Sequence, residues 1–167
     1  DGTFVRAFGS EGSGDGEFNS PDSIAIAGDL VFVTDEGNNR VVVTQRNGTF
    51  VRTFGTLGSG DGQLCSPAGL AIFEDHVYIA DHANDRIAVH HLDGTFVRAF
   101  GSEGSGDGQF DGPTGLAIAN GRLFVADRFN HRVCVHQLDG TFERSFGSQG
   151  AGDGQFDCPV AVAVAGK

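Results

Sequence analysis

Short apolar segments alternate along the chain with polar turns rich in glycine. In the clearest stretch, the segments PTGLAIA, RLFVAD, RVCVH and TFERSF follow one another between residues 113 and 146. Asn120-Gly121 and Asp139-Gly140 separate two pairs of them, and such dipeptides are strong signals of tight β-hairpin turns. No window shows the 3.6-residue periodicity of an amphipathic helix. The pattern therefore predicts a series of short antiparallel strands.

The same pattern recurs with a fixed period. The motif DGTFVRAFGSEGSGDG begins at residue 1 and again at residue 93, and close variants begin at residues 47 and 139, so the period is 46 residues and the chain holds about 3.6 repeats. Four strands in roughly 40–45 residues is the period of a β-propeller blade. We predict an all-β propeller segment forming one domain over residues 1–167. The predicted complete blades are 21–55, 67–101 and 113–147, and the predicted partial blades are an outer strand at 3–8 and an inner strand at 159–165.

One stretch of the third repeat resembles a known family. Residues 125–133 read VADRFNHRV, which is similar to the signature of the NHL repeat, and related residues occur in every repeat. Asn39 and Asp85 stand where the third repeat has His131. The resemblance implies a β-propeller, most often of six blades. It also implies a ligand-binding platform more often than an enzyme.

The number of repeats leaves the ring open. Three complete blades with two flanking strands expose apolar blade faces, so we expect either a longer propeller or closure by association of several copies. The near-identical repeats fit recent amplification or deliberate engineering equally well.

Net charge narrows the range of partners. The chain has 22 acidic against 11 basic residues and a net charge of −11. This excess repels nucleic acid and anionic membranes, and we expect neither as a partner. The three cysteines are an odd number without metal-type spacing, which favours a reducing compartment, although the localisation stays open.

One set of polar residues repeats in every complete blade. An Asp ends each second strand and an Arg begins each third strand, on the face that also carries the glycine-rich crossings between blades; we call this the top face. Repetition favours a structural Asp–Arg pair over a ligand site. The residues of this set are Asp35, Arg40, Asp81, Arg86, Asp127 and Arg132.

Other top-face positions break the repeat. Phe129 replaces Gly37 and Ala83, and Arg128 precedes it. An aromatic residue beside an arginine is typical of protein interfaces. We therefore predict a partner-binding surface at Phe129, Arg128, His131, His82, Asp85, Glu36 and Asn39. The predicted pore rim also varies between repeats: Asp22, Ala68, Thr114 and Val160.

Catalytic and metal motifs are not evident. No Ser or Cys lies in a nucleophile elbow, and Cys134 aligns with core positions. The histidines do not converge on a predicted zinc site, because His76 falls on the bottom face and His90 and His136 lie far from the axis. We therefore predict no catalytic residues, no cofactor and no metal. The favoured function is a non-catalytic scaffold for a protein or peptide, and the main alternative is a structural repeat that closes a ring by homo-oligomerisation. RNA binding and a zinc lyase activity, both found among NHL propellers, are minor alternatives.

Overall fold

The structure consists of three similar four-stranded sheets. The computed structural model describes residues 1–165. In each sheet the strands follow one another as an antiparallel meander, so the order in space is the order in sequence. Blade 1 contains β1 (Pro21–Ala27), β2 (Leu30–Asp35), β3 (Arg40–Gln45) and β4 (Phe50–Phe54). Blade 2 contains β5 (Pro67–Phe73), β6 (His76–Asp81), β7 (Arg86–His91) and β8 (Phe96–Phe100). Blade 3 contains β9 (Pro113–Ala119), β10 (Arg122–Asp127), β11 (Arg132–Gln137) and β12 (Phe142–Phe146). The all-β prediction is confirmed.

The turns follow from residues that tolerate a left-handed backbone. Asn120 and Gly121 join β9 to β10 with φ of 51° and 70°, as a two-residue hairpin of type I′ requires. On the top face, short turns join each second strand to the third and end at Asn39, Asp85 and His131 with φ between 51° and 55°. These turns bring the ends of the second and third strands of each blade close together.

Blades pack face to face through two apolar clusters. Blade 1 contributes Phe32 and Val43 to the first cluster, where they pack with Ile79 of blade 2. Tyr78 and Val125 belong to the second cluster, between blades 2 and 3. Because blade 2 is covered on both sides, the middle strands of its sheet are apolar on both faces, as the sequence predicted.

The two flanking segments depart from the prediction. Residues 3–8 and 159–165 do not form strands, and no other segment of the described chain pairs with either of them along a ladder. A strand requires such a partner, so the predicted partial blades do not form as strands. The contacts that hold them in place include the ring of Phe8 against Gly48 and the hydrogen bond from the Gly115 N–H to the Val160 carbonyl over 3.0 Å.

Within residues 1–165, no helix is long and apolar enough to cross a membrane.

Candidate functional site

The repeated Asp–Arg pair forms in every blade and organises the top face. In blade 2, Arg86 Nε donates to Asp81 Oδ2 over 2.7 Å, and Asn84 donates to the same oxygen over 2.8 Å. The other oxygen, Oδ1, accepts the Cys65 N–H over 2.6 Å. The Asp81 carboxylate is fully buried, and its partners replace the hydration that burial removes. Blades 1 and 3 contain the same pairs, Arg40–Asp35 and Arg132–Asp127, each at 2.7 Å.

The network also fixes the glycine-rich crossing ahead of each blade. The terminal nitrogens of Arg86 donate to the carbonyls of Ser59, Gly60 and Gln63, all in one crossing. Every nitrogen of the guanidinium therefore has a partner within the protein. This arrangement gives the six repeated Asp and Arg residues a structural task and leaves them little capacity to bind a ligand.

Three predicted partner-binding residues form hydrogen bonds within the scaffold. Asn39 Oδ1 and Asp85 Oδ1 accept the backbone N–H of Ser66 and Gly112 over 2.9 and 2.8 Å. His131 Nδ1 accepts the Cys158 N–H over 3.1 Å, so this nitrogen carries no proton in that contact. All three side chains connect a blade to the crossing that follows it, and they are engaged in the scaffold rather than directed to a partner.

Apart from Phe129, the remaining residues that break the repeat all line a cavity of about 160 Å³ on the top face. Two positions of the repeat line it. One position supplies all of the predicted pore rim, and the other supplies three of the predicted partner-binding residues. The lining residues are Asp22, Ala68, Thr114 and Val160 from the first position, and Glu36, His82 and Arg128 from the second. Sequence reasoning identified both sets but did not predict that they form one cavity.

Charge is distributed unevenly around this cavity. Blade 1 contributes two carboxylates, Asp22 and Glu36, and blade 3 contributes the Arg128 guanidinium. Among the described residues, none forms an ion pair with any of these three. The Arg128 Nε is buried and has no hydrogen-bond partner among residues 1–165. An anionic group in the cavity would satisfy this guanidinium, and a cationic group would satisfy the carboxylates.

Phe129 and His82 form the wall between blades 2 and 3. Phe129 is 46% exposed, and the centroid of its ring lies 6.0 Å from that of the His82 ring. Arg128 Cζ lies 5.1 Å from the Phe129 ring centroid, within cation–π range. His82 Nδ1 lies 3.2 Å from the Pro113 carbonyl and donates to it, which leaves Nε2 as an acceptor. Gly112 lies beneath both rings: a Cβ there would stand 2.7 Å from Phe129 and 2.8 Å from His82.

The cysteine and histidine of the blade cores are poor candidates for chemistry. Cys134 is fully buried, as predicted, and burial raises the pKa of its thiol to about 12. His90 is also buried, and burial, with a smaller contribution from the Arg86 charge, lowers its pKa to about 4. Neither side chain offers a nucleophile or a proton donor near pH 7.

Sequence reasoning missed one cluster on the bottom face. Asp75, His76 and His91 lie together at the end of blade 2, and one ligand atom from each lies within 4.8 Å of the others. A sequence signal existed, because blade 2 alone combines histidines at these two strand positions with an aspartate in the preceding turn.

The fold and its network define the class of protein: the chain is a β-propeller segment. A family model described as an NHL repeat matches residues 110–135, and a model described as a 6-bladed beta-propeller matches residues 17–98. The resemblance of the sequence to the NHL repeat is therefore confirmed, and the two family models together match β-propeller repeats in all three blades. A search of curated protein sequences found no match.

Solved structures agree on the fold. Hydrazine synthase of Kuenenia stuttgartiensis superposes with a TM-score of 0.65 at 15% identity, over 96% of this chain and 40% of that chain. Virginiamycin B lyase of Staphylococcus aureus gives a TM-score of 0.58 at 18% identity, over 75% and 40%. The computationally designed Ika4 protein gives 0.63 at 16% identity, over 97% and 88%. This chain thus spans about two fifths of the length of the two natural proteins. At these identities the likeness shows the fold alone.

Proposed function

We propose that this chain is a non-catalytic propeller scaffold whose top face binds a protein or peptide. The anchoring site is the top-face cavity of about 160 Å³, which we call the axial cavity. One observation carries the proposal: the top face keeps strict symmetry in its structural network and loses it in the lining of the cavity. The network positions hold Asp and Arg in all three blades. The lining position holds Glu36, His82 and Arg128 in turn. The Asp and Arg positions repeat because each blade needs that pair, whereas a ligand would be contacted differently by each blade.

Charge supports a ligand with both signs. Arg128 suits a carboxylate, such as an acidic side chain or a peptide C-terminus, because a guanidinium offers paired donors in one plane. Asp22 and Glu36 suit an amine or guanidinium on the opposite side of the cavity. A cavity of about 150 Å³ holds a molecule the size of benzene. The observed volume of about 160 Å³ therefore suits one or two peptide side chains, with the rest of the partner lying across the top face.

The exposed ring of Phe129 extends the surface beyond the cavity. Its ring is held between Arg128 and His82, so presenting it to a partner costs little side-chain entropy. Aromatic and arginine side chains with restricted motion are frequent anchors in protein interfaces.

The cavity lining favours binding over catalysis. Its described residues include no Ser, Cys or Lys, and the hydroxyl of Thr114 is engaged with the Ala126 and Pro159 carbonyls. The net charge of −11 opposes an RNA ligand and an anionic membrane, so we propose neither as a partner. A zinc lyase activity would need at least three ligand atoms close together, and in the described chain Asp22, Glu36 and His82 do not form such a group.

Selection of peptides tests the proposal. A phage-displayed random peptide library is panned on the wild-type chain, and the selected peptides are titrated calorimetrically against Arg128→Gln. We expect peptides that carry a carboxylate and lose at least tenfold in affinity on this variant. The matched control is Arg122→Gln, which removes another blade 3 arginine away from the cavity, where it pairs with Glu143. Equal affinity for the Arg128 variant, or no enriched peptide, would overturn the proposal.

A second candidate function, self-association into a closed ring, rests on the two end faces. Ile24 and Ile26 of blade 1 are 62% and 52% exposed. Leu70, the blade 2 equivalent of Ile24, is only 5% exposed because blade 1 covers it. At the other end, Phe146 is 43% exposed, while its equivalents Phe54 and Phe100 pack on Gly94 and Gly140 of the next blade. The open face of blade 1 corresponds to the face of blade 2 that blade 1 covers, and the open face of blade 3 corresponds to the face of blade 2 that blade 3 covers. A further copy bound head to tail would therefore cover both open faces.

Light scattering after size exclusion separates this candidate from a monomeric platform. Closure predicts one discrete multiple of 17.4 kDa that dissociates in Ile24→Ser. Val51→Ser is the control, because Val51 is an exposed valine of an outer strand. A folded monomer at all concentrations would exclude ring closure by this chain.

A further inference from the structure

We propose that Asp75, His76 and His91 form a binding site for a divalent transition-metal ion, with Zn²⁺ as the probe, on the bottom face of blade 2. His76 Nδ1 lies 2.7 Å from Asp75 Oδ1, and His91 Nδ1 lies 3.5 Å from Asp75 Oδ2. The two imidazole rings lie 4.9 Å apart, centre to centre. All three side chains are reachable from solvent, with exposed fractions between 28% and 65%. This site is separate from the axial cavity.

The register of the sheet places the two histidines. His76 opens β6 and His91 closes β7, and the two residues are directly opposite in the antiparallel ladder. Side chains on one face at opposed positions of such a ladder lie about 5 Å apart at Cβ, so both can reach one ion. Asp75 lies in the turn just before His76, and the left-handed backbone of Glu74, with φ of 52°, turns the chain there.

The donor set suits a borderline metal. Two imidazoles and a carboxylate bind Zn²⁺ at about 2.0–2.2 Å, and three protein ligands leave a fourth position for water. One donor atom of each residue already lies within 4.8 Å of the other two. Small side-chain rotations therefore bring the donors into a single coordination sphere without moving the strands. Imidazole ligands favour Zn²⁺, Ni²⁺ and Cu²⁺ over Mg²⁺ and Ca²⁺.

The repeat shows that these three residues are not required by the blade. Blade 1 has Asp29, Leu30 and Gln45 at the equivalent positions, and blade 3 has Gly121, Arg122 and Gln137. Two blades thus form the same hairpin and strand end with side chains that do not make a three-donor site.

A second group of potential ligands is weaker. His131, Asp157 and Cys158 also lie within 4.8 Å of one another. However, His131 Nδ1 is engaged by the Cys158 N–H, and this contact belongs to the connection between blade 3 and its following crossing. We therefore assign the metal to the blade 2 cluster and use Cys158 as a control.

Zinc titration of the purified chain, after treatment with a chelator, tests the proposal. Isothermal calorimetry near pH 7.5 is expected to give one Zn²⁺ per chain. His91→Gln introduces the residue of blades 1 and 3, and His76→Leu introduces that of blade 1, so both variants are expected to fold and to lose at least tenfold in zinc affinity. Far-UV circular dichroism verifies the fold. Cys158→Ser is expected to bind zinc like the wild type.

Cobalt provides a second readout. Co²⁺ bound by two imidazoles and a carboxylate gives visible ligand-field bands without the near-ultraviolet charge-transfer band of a thiolate. That spectrum, lost in His91→Gln, would support the site. A thiolate band that disappears in Cys158→Ser, unchanged zinc affinity in both histidine variants, or no zinc binding at all would overturn it.

Discussion

Arg86 Nε donates a 2.7 Å hydrogen bond to the fully buried Oδ2 of Asp81, and this pair joins blade 2 to the crossing that leads into it. The same Arg86 guanidinium binds three carbonyls of that crossing. Removing the carboxylate would leave a largely buried cation without its partner. The top face of the propeller therefore depends on a residue that never reaches solvent.

Asp81→Asn tests the strength of this connection. The change keeps the size of the side chain but removes its charge, and breaking a buried pair typically costs about 3–5 kcal/mol. We expect the free energy of unfolding in urea to fall by about 3 kcal/mol. The control is Glu143→Gln, which breaks the more exposed pair with Arg122 and is expected to cost less than about 1 kcal/mol. Equal effects of the two variants would contradict the structural role of the network.

Gly112 is expected to support the wall formed by Phe129 and His82. Gly112→Ala places a Cβ 2.7 Å from the Phe129 ring, and Gly121→Ala is the matched control, because its Cβ meets nothing within 4 Å at a similarly positive φ. The left-handed backbone costs an alanine roughly 1–2 kcal/mol at either site. We expect only Gly112→Ala to cost more than this and to shift the NMR signals of Phe129. The same destabilisation in both variants, with Phe129 undisturbed, would show that the contact is unimportant.

His90 makes the stability of the protein sensitive to acid. Burial lowers its pKa to about 4 between the rings of Phe54 and Phe96, whereas the unfolded chain has the ordinary value of 6.5. The unfolded state therefore binds the proton first as the pH falls, and stability is lost below about pH 6.5. Between pH 7 and 5 this residue accounts for a loss of about 2 kcal/mol. Burial also lowers the pKa of His136, which acts in the same direction.

Urea unfolding at pH 7 and pH 5 checks this dependence. His90→Leu is expected to reduce the difference in unfolding free energy between the two pH values by about 2 kcal/mol. His82→Gln, which alters a half-buried histidine outside the core, is measured as the control for loss of a histidine. An identical pH dependence in His90→Leu and the wild type would rule out the assigned cause.

The cysteines are expected to differ in reactivity. Cys134 is fully buried, and burial raises the pKa of its thiol to about 12, whereas Cys65 and Cys158 are partly exposed in the crossings. Because the thiolate is the reactive form, Ellman's reagent at pH 8 should modify two thiols in the native protein and the third only after unfolding. Rapid modification of three thiols without denaturant would indicate that blade 3 opens readily.

The periodic features of the fold could be predicted from the sequence, and the features that depend on exact pairing could not. The 46-residue period fixed the strands of all three blades, because each apolar segment and each turn recurs in register. The period predicted strands at residues 3–8 and 159–165, but without the other strands of a blade these segments form no ladder. The period did not show that His76 faces His91, because that contact depends on the ladder between β6 and β7.

The candidate site was predictable in its residues but not in its geometry. Loss of symmetry identified Glu36, His82 and Arg128 separately, and the structure brings them into one cavity. Symmetry was a poorer guide for Asn39, Asp85 and His131, which differ in type but perform the same task. Each accepts one backbone N–H, and an amide, a carboxylate and a neutral imidazole all can do so.

The most direct test of the proposed binding function is a charge-reversal cycle at Arg128. A peptide selected on the wild-type chain is made with its carboxylate residue intact or replaced by lysine, and both forms are titrated against the wild type and Arg128→Glu. We predict that Arg128→Glu weakens the carboxylate peptide at least tenfold and binds the lysine peptide more tightly than the wild type does. If Arg128→Glu instead binds the carboxylate peptide as tightly as the wild type, the axial cavity is not the anchoring site.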